Sequence, residues 1–273
     1  MSAEWRVRQV PEPGDEPQIV RDIAAARRRR RIVFVAIFSL TWAVLIGAIL
    51  WLVARDFDTV FLGTWWEFIL GGAWLTIVLA VCSIALATVL AVFGAMGRLS
   101  RNPVINGTAS LYVSLIRGTP LLVQIFFWFY ALAETGLVLE PLHAGIVALG
   151  FNYGAYLTEI FRAGIQAVPR GQREAAEALG MRESLLMRRI VLPQAVRIVV
   201  PPIGNEFIAM LKDTALVSVI SIQELLWKAQ AAGRPHVRIL EAIVFAAGVY
   251  WVLTIVFSFL QERLERRLAR GDR

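Results

Sequence analysis

The sequence predicts an all-α integral membrane protein, because it is too apolar for a water-soluble domain and its charges are missing from long stretches. Of its 273 residues, 58% are hydrophobic and 18% are charged, and the mean hydropathy is +0.62. Soluble domains are closer to half apolar and a quarter charged. Residues 32–54, 68–97 and 242–261 contain no charge, and about 18 or more such residues are typical of a membrane-spanning helix. The composition excludes an ordinary cytosolic enzyme, a secreted disulfide scaffold and a disordered protein.

Apolar runs along the chain predict six membrane spans. They cover about residues 32–53, 68–97, 121–133, 142–162, 199–220 and 242–261. The first run is longer than the apolar core of a signal peptide, which favours a retained anchor helix. The proline pair Pro201-Pro202 suggests that the fifth helix starts only just before Asn205.

Four segments describe the predicted organisation. Residues 1–31 form a basic disordered tail, and residues 32–53 form an extra N-terminal transmembrane helix. Residues 68–262 form the main transmembrane domain, with a charged cytoplasmic loop at 170–193. Residues 263–273 form a second basic tail.

The distribution of basic residues predicts that both termini are cytoplasmic. If the N-terminus is inside, the inside segments hold 23 of the 28 basic residues and the outside segments hold four. Cytoplasmic loops of membrane proteins carry an excess of lysine and arginine. The net charge of +7 therefore indicates topology, and we expect no nucleic-acid partner.

The charged loop predicts a helix–turn–helix unit. Residues 174–179 are helix formers, and Gly180 is suited to the left-handed conformation that ends a helix. A second helical stretch begins at Glu183 and ends before Pro193. The small side chains of Ala175 and Ala176 leave their backbone open to close approach by another surface.

This loop resembles the cytoplasmic EAA loop of the membrane-spanning subunits of bacterial ABC importers. The resemblance is carried by Glu174-Ala175-Ala176, Gly180, Ile190, Leu192 and Pro193. Three further stretches resemble the polar amino acid subfamily, the histidine/glutamine type. They are residues 117–120 (Arg-Gly-Thr-Pro), 159–164 (Glu-Ile-Phe-Arg-Ala-Gly) and 204–214 (Gly-Asn-Glu-Phe-Ile-Ala-Met-Leu-Lys-Asp-Thr). The resemblance covers about residues 68–265.

The resemblance implies a type I ABC importer transmembrane domain with a cytoplasmic coupling helix, in the permease subunit of an importer for a polar amino acid. The loop residues that it assigns to coupling with the ATPase are Glu174, Ala175, Ala176, Gly180 and Arg182. The implied partners are a dimer of ATP-binding subunits, an extracytoplasmic amino-acid-binding protein and a second, identical or homologous permease subunit. The implied location is the bacterial cytoplasmic membrane, in contact with its lipid.

The sequence itself gives no site for ATP. A P-loop needs a lysine directly after a glycine, and the two lysines, Lys212 and Lys228, follow Leu211 and Trp227. We therefore expect ATP and Mg²⁺ to be bound by a partner subunit. We assign no catalytic residue, cofactor or metal ligand to this chain, because its two histidines lie far apart in sequence.

Polar residues inside the predicted spans form a candidate substrate path. In the fifth span Asn205, Glu206, Lys212 and Asp213 fall within an arc of about 120° on a helix. Charges in a span normally face protein or water, so the stripe indicates either a path for a zwitterionic solute or helix–helix packing. Asn152 and Glu159 share a face of the fourth span, where packing is favoured over a path.

Two other function classes remain open from the residues alone. A secondary transporter or channel would also use intramembrane charges such as Glu206, Lys212 and Asp213. A membrane-embedded enzyme would need a cluster of catalytic residues, and the sequence displays no such motif. Transport by this chain alone, without ATP, would distinguish the first class from a permease subunit.

Overall fold

The computed structural model describes residues 18–55 and 57–269, and every regular element within them is helical. The all-α prediction is therefore confirmed for this part of the chain. The helices are α1 (Gln18–Arg55), α2 (Thr59–Leu70), α3 (Ala73–Leu99), α4 (Pro103–Arg117), α5 (Leu121–Phe126), α6 (Leu132–Glu134), α7 (Pro141–Gln166), α8 (Arg170–Ala178), α9 (Glu183–Leu186), α10 (Leu192–Asp213), α11 (Leu225–Gly233) and α12 (Ile239–Ala269). Wider π-helical turns join α5 to α6 and α9 to α10, and a 3-10 helix extends α10 to Ile220.

The chain divides into two compact units between Phe57 and Asp58. The described part of the first unit is dominated by the single helix α1, whose segment Arg27–Ala48 is long and apolar enough to cross a membrane. The prediction of a disordered tail over residues 1–31 is wrong for its last fourteen residues. These are helical from Gln18 onward, because alanine and arginine are strong helix formers. Residues 1–17 of the predicted tail lie outside the described residues.

The core of the second unit lies between α3 and α7. Their buried faces carry small residues, among them Ala87 and Ala91 on α3 and Ala148 on α7. A Cβ atom at Gly150 would lie 2.6 Å from the Leu86 side chain, so this position admits only glycine at the observed spacing. Close contact through small residues is the usual way in which membrane helices associate.

A sharp bend separates α4 from α5. The axis turns by 106° between Pro103–Arg117 and Leu121–Glu134. The prediction had placed a span over residues 121–133, which would be only about 20 Å long as a helix. A bilayer core is about 30 Å thick, so this segment needs α4 or a tilted neighbour to complete a crossing.

The start of the fifth predicted span is wrong. The helix does not begin near Asn205, because α10 starts at Leu192 and contains the Pro201-Pro202 pair in its interior. Proline removes a helical hydrogen bond and leaves carbonyl groups without donors. The Gln261 side-chain amide of α12 donates to the Pro201 carbonyl at 3.1 Å and to Asn205 Oδ1 at 3.0 Å. The carbonyls that lose their donors lie four residues before each proline, so the bonds from Gln261 are additional polar contacts between α10 and α12 in this region.

Part of the predicted C-terminal basic tail is helical. Helix α12 continues to Ala269, so residues 263–269 of the predicted tail at 263–273 are helical. An ion pair between Arg266 and Glu262, at 2.7 Å, supports this extension one turn apart. Residues 270–273 lie outside the described residues.

Length and apolar composition identify three candidate spans in the described residues, or four if the bent pair α4–α6 is one span. The three are Arg27–Ala48, Thr59–Leu99 and Ile239–Arg267. Helices α7 and α10 contain 26 and 22 residues, and therefore measure about 39 and 33 Å. Both are long enough to span, but polar and glycine residues lower their apolar content.

Candidate functional site

The segment after α7 folds as the helix–turn–helix unit that the sequence predicted. Helix α8 ends in a Schellman motif: the Met181 N–H donates to the Ala176 carbonyl at 3.0 Å and the Gly180 N–H donates to the Glu177 carbonyl at 2.9 Å. Gly180 has a φ of +73°, so its predicted left-handed conformation is confirmed. A Cβ atom there would meet nothing within 4 Å. Backbone conformation alone therefore requires glycine at this position.

The two alanines of this segment face opposite ways. Ala175 is exposed, whereas Ala176 is buried in a cluster with Val168 and Leu186. The Ala176 side chain packs against residues of its own chain, and the prediction that both alanines leave the backbone open to another surface stays a prediction. The outward face of the unit consists of Glu174, Ala175, Leu179, Gly180 and Arg182. Leu179, on this outward face, is 82% exposed.

A second feature is a charged cavity of about 350 Å³ between α4, α7 and α10. Its volume lies at the lower end of the range of small-molecule pockets. The lining residues are Arg117, Tyr156, Glu159, Ile160, Arg162, Ala163 and Glu206. Of the predicted path residues, Glu159 and Glu206 are brought together here.

The carboxylate of Glu159 is held by two arginines. It accepts hydrogen bonds from Arg98 Nε at 3.0 Å and from Arg162 Nη2 at 2.7 Å. Arg98 also donates to the Ser110 hydroxyl on α4. Because charge-assisted bonds of this kind are strong and directional, Glu159 joins α3, α4 and α7 at one end of the bundle.

Arg117 and Glu206 are the two opposite charges of the cavity without such a partner. The Arg117 guanidinium lies 4.9 Å from the Tyr156 ring centroid, in cation–π contact. It acts electrostatically on the Glu206 carboxylate, and both side chains line the same space. Among the described residues neither side chain is within salt-bridge distance of an opposite charge. The cavity therefore presents one positive and one negative group to its contents.

The remaining residues of the predicted stripe point to different neighbours. Asp213 accepts a hydrogen bond from the buried Tyr153 hydroxyl at 2.7 Å, and Asn205 contacts Gln261 on α12. Lys212 is exposed. The stripe therefore does not line a single surface within this chain, because α10 lies between α7 and α12.

Asn152, the predicted path residue in the middle of α7, is buried. Its side-chain amide donates to Gln124 Oε1 at 3.2 Å. The Gln124 amide in turn donates to the Ile116 carbonyl at 2.8 Å and to Thr119, so it satisfies backbone groups at the bend between α4 and α5. This is the packing role that the sequence favoured for Asn152.

Sequence reasoning did not assign several residues that the structure places at these features. Arg117 entered only as part of the stretch 117–120 that carries the family resemblance, and Tyr153, Gln124 and Leu179 were given no role. A glutamine inside an apolar run and a leucine inside a charged loop are signals that single them out. Their partners lie on other helices and do not follow from local spacing.

Glu224 is a further buried polar residue, at the opposite end of α3. It is fully buried, and its carboxylate accepts hydrogen bonds from the Leu226 and Trp227 N–H groups that open α11 and from the Tyr250 hydroxyl. Burial is the largest influence on this carboxyl and raises the pKa of Glu224. The sequence had treated it only as an outer continuation of the polar stripe.

These features define a class of protein. A helical chain with apolar helices long enough to cross a membrane, an exposed helical unit and a charged cavity between its helices fits a transport subunit. The chain belongs to the family described as binding-protein-dependent transport system inner membrane components, whose model matches residues 87–270. It is therefore a membrane permease subunit and not an enzyme.

Individual relatives agree with this family. The chain is 40% identical over 208 residues to the L-cystine transport system permease protein TcyB of Bacillus subtilis (strain 168), covering 76% of this chain and 89% of that protein. It is 39% identical over 211 residues to the arginine transport system permease protein ArgU of Corynebacterium glutamicum, covering 72% and 67%. A crystal structure of an amino acid ABC transporter with histidines matches at 38% identity and a TM-score of 0.73, covering 77% of this chain and 98% of that chain.

Proposed function

We propose that the chain is the permease subunit of an ABC importer that carries a polar amino acid across the cytoplasmic membrane of a bacterium. The observation that carries the substrate class is the cavity with Arg117 and Glu206 on its walls. A free amino acid bears one carboxylate and one ammonium group, and the two side chains offer one complementary charge to each. The relatives are named for cystine and arginine transport, which are both amino acids with polar side chains.

Uptake by the reconstituted transporter tests this substrate class. The chain, with its ATP-binding subunits and binding protein, is placed in proteoliposomes and challenged with a panel of labelled amino acids. Glu206→Gln and Arg117→Gln should each raise KM for the preferred amino acid more than tenfold, since a charge-assisted hydrogen bond is worth about 1.5–3 kcal/mol. Glu67→Gln, at an exposed carboxylate of α2, is the control. An unchanged KM in both cavity variants would contradict this substrate path.

We further propose that the outward face of α8 and its following turn docks on a partner ATP-binding subunit. Glu174, Ala175, Gly180 and Arg182 are its contact residues, and Leu179 supplies the exposed apolar side chain that an interface core needs. Ala176 supports the segment from within. ATP and Mg²⁺ are bound by the partner dimer, and a second permease subunit and an extracytoplasmic amino-acid-binding protein complete the transporter.

Cysteine crosslinking distinguishes the two faces of α8. In a Cys82→Ala background, Ala175→Cys should crosslink to the ATP-binding subunit, because this side chain is exposed. The adjacent Ala176→Cys is the matched control, because its side chain is buried within this chain. Equal crosslinking at both positions, or at neither, would contradict docking through this face.

We also propose six membrane spans with both termini in the cytoplasm, an extra N-terminal span at 32–53 and a permease domain at 68–262. The lengths of α7 and α10 and the excess of basic residues in the predicted inside segments support this topology. In cysteine-free protein, Leu179→Cys should react with an impermeant maleimide only after the membrane is opened. Leu137→Cys, in the loop before α7, should react in intact cells. The reverse pattern would invert the topology.

A further inference from the structure

A second charged cavity lies beside the end of α3. It has a volume of about 640 Å³ and is lined by three arginines, Arg101, Arg170 and Arg173, against the single acidic residue Glu183. Arg173 donates to the Ile165 carbonyl at 3.4 Å, whereas Arg101 and Arg170 are exposed. In the described part of the chain none of the three arginines is within salt-bridge distance of a carboxylate. The cavity is therefore a site of net positive charge.

An apolar groove of about 640 Å³ continues from this cavity. Leu99, Ile165 and Met187 line both spaces, so the charged cavity and the groove adjoin at these three residues. The groove then follows α3 and α10 into the bundle. Its further walls are formed by Val92, Ala95, Met96, Leu192, Val196 and Val199.

We propose that this cavity and groove together bind one anionic phospholipid, with its phosphate among the arginines and an acyl chain in the groove. Arginine matches the planar, bidentate geometry of phosphate oxygens, and basic pockets at the ends of membrane helices are known lipid-headgroup sites. A free phosphate would need only the charged cavity. The continuous apolar groove, which starts where the charge ends, favours a lipid.

The position along α3 agrees with this occupant. Arg98 and Arg101 are the first charges after the uncharged stretch 68–97, so the cavity lies at the level of the headgroups if α3 crosses the bilayer. From Leu99 back to Val92 the groove extends about 10 Å along the helix, which is the direction that an acyl chain takes from the interface. The inference needs only that α3 spans the membrane, and does not depend on the transported substrate.

Native mass spectrometry of the purified full-length chain tests the proposal. Dioleoyl-phosphatidylglycerol and dioleoyl-phosphatidylcholine are titrated separately, and glycerol 3-phosphate serves as the headgroup without acyl chains. We expect tight retention of phosphatidylglycerol, at least tenfold weaker retention of phosphatidylcholine and no competition by glycerol 3-phosphate. Equal retention of the two lipids would overturn the proposal, and full competition by glycerol 3-phosphate would replace a lipid by a free phosphate.

Two pairs of variants locate the site. The double variant Arg101→Gln and Arg170→Gln should weaken phosphatidylglycerol binding about 25-fold, since each arginine near a membrane surface contributes about fivefold in affinity. Arg188→Gln and Arg189→Gln remove the same charge from two exposed arginines outside the cavity and should leave binding within about twofold of wild type. Equal losses in both doubles would indicate nonspecific charge attraction and overturn the site.

A separate variant tests the groove. The test of the proposal then does not depend on whether the arginine double variant folds. Val196→Trp fills the groove and should displace the lipid. Val104→Trp places the same side chain on the exposed face of α4 and is the matched control. Unchanged phosphatidylglycerol binding by Val196→Trp would overturn the acyl-chain part of the proposal, and binding of a protein segment in place of lipid would overturn it entirely.

Discussion

Replacing Gly180 by valine should separate ATP hydrolysis from uptake. Gly180 adopts a φ of +73°, and a Cβ atom at this position would touch nothing within 4 Å. The whole penalty therefore comes from the left-handed backbone, which costs an L-residue about 1–2 kcal/mol and a β-branched residue at least that much. The two hydrogen bonds of the Schellman motif, from Gly180 and Met181, depend on this conformation.

A penalty of about 1–2 kcal/mol shifts a conformational equilibrium about 5- to 30-fold. Uptake in proteoliposomes that contain the complete transporter should fall by a factor in this range. Hydrolysis of ATP should fall less, because the ATP site lies in the partner subunit. The measurement to compare is therefore the number of amino acid molecules taken up per ATP hydrolysed. The amount of permease in the membrane should stay constant.

Gly171→Val is the matched control for this experiment. Gly171 lies in α8, has no positive φ, and a Cβ atom there would also meet nothing within 4 Å. Valine and glycine differ by only about 0.5 kcal/mol in helix propensity, so uptake per ATP should remain near the wild-type value. Wild-type coupling in Gly180→Val, or equal loss in both variants, would refute the role of the left-handed turn.

Two further perturbations test the buried polar contacts. Asp213→Ala leaves the Tyr153 hydroxyl without its acceptor and should lower the free energy of unfolding by about 1–3 kcal/mol. A double-mutant cycle with Tyr153→Phe should give a coupling energy of at least about 0.5 kcal/mol, and a change in KM without loss of stability would instead assign Asp213 to the substrate path. At Glu224 the folded-state pKa is raised by burial, so protonation favours the fold at low pH and this contribution is lost as pH rises through the folded-state pKa. The Tm of the wild type should therefore fall relative to Glu224→Gln as the pH rises above the ordinary glutamate range, and a difference that does not change with pH would contradict the raised pKa.

The parts of the fold that follow from local pattern were predictable from the sequence. The uncharged runs gave α3 and α12, and the helix formers followed by Gly180 gave α8 and its left-handed end. Both depend on composition and on backbone preferences that act over a few residues. No partner from elsewhere in the chain is needed to form them.

The other parts depend on contacts between distant residues. Arg98 and Glu159 are 61 residues apart, and Tyr153 and Asp213 are 60 residues apart, so no spacing rule joins them. The proline pair led the prediction to start the fifth helix near Asn205, whereas α10 continues through both prolines; the contact of Gln261 with this region comes from another helix. Likewise, Asp213 contacts α7 whereas Asn205 contacts α12, and this difference depends on how the helices pack.

The burial of Ala176 has a mechanical consequence. Its cluster joins Val168, which follows α7, to Ala195 in the first turn of α10, so α8 packs against the adjoining ends of the two helices that carry Glu159 and Glu206. Ala195 lies about 16 Å along the helix axis from Glu206. A tilt of about 10° about that base would move the Glu206 carboxylate by about 3 Å relative to α7. A displacement of α8 that tilts α10 would thereby change the width of the cavity, and bending of the helix at Pro201-Pro202 would reduce that change.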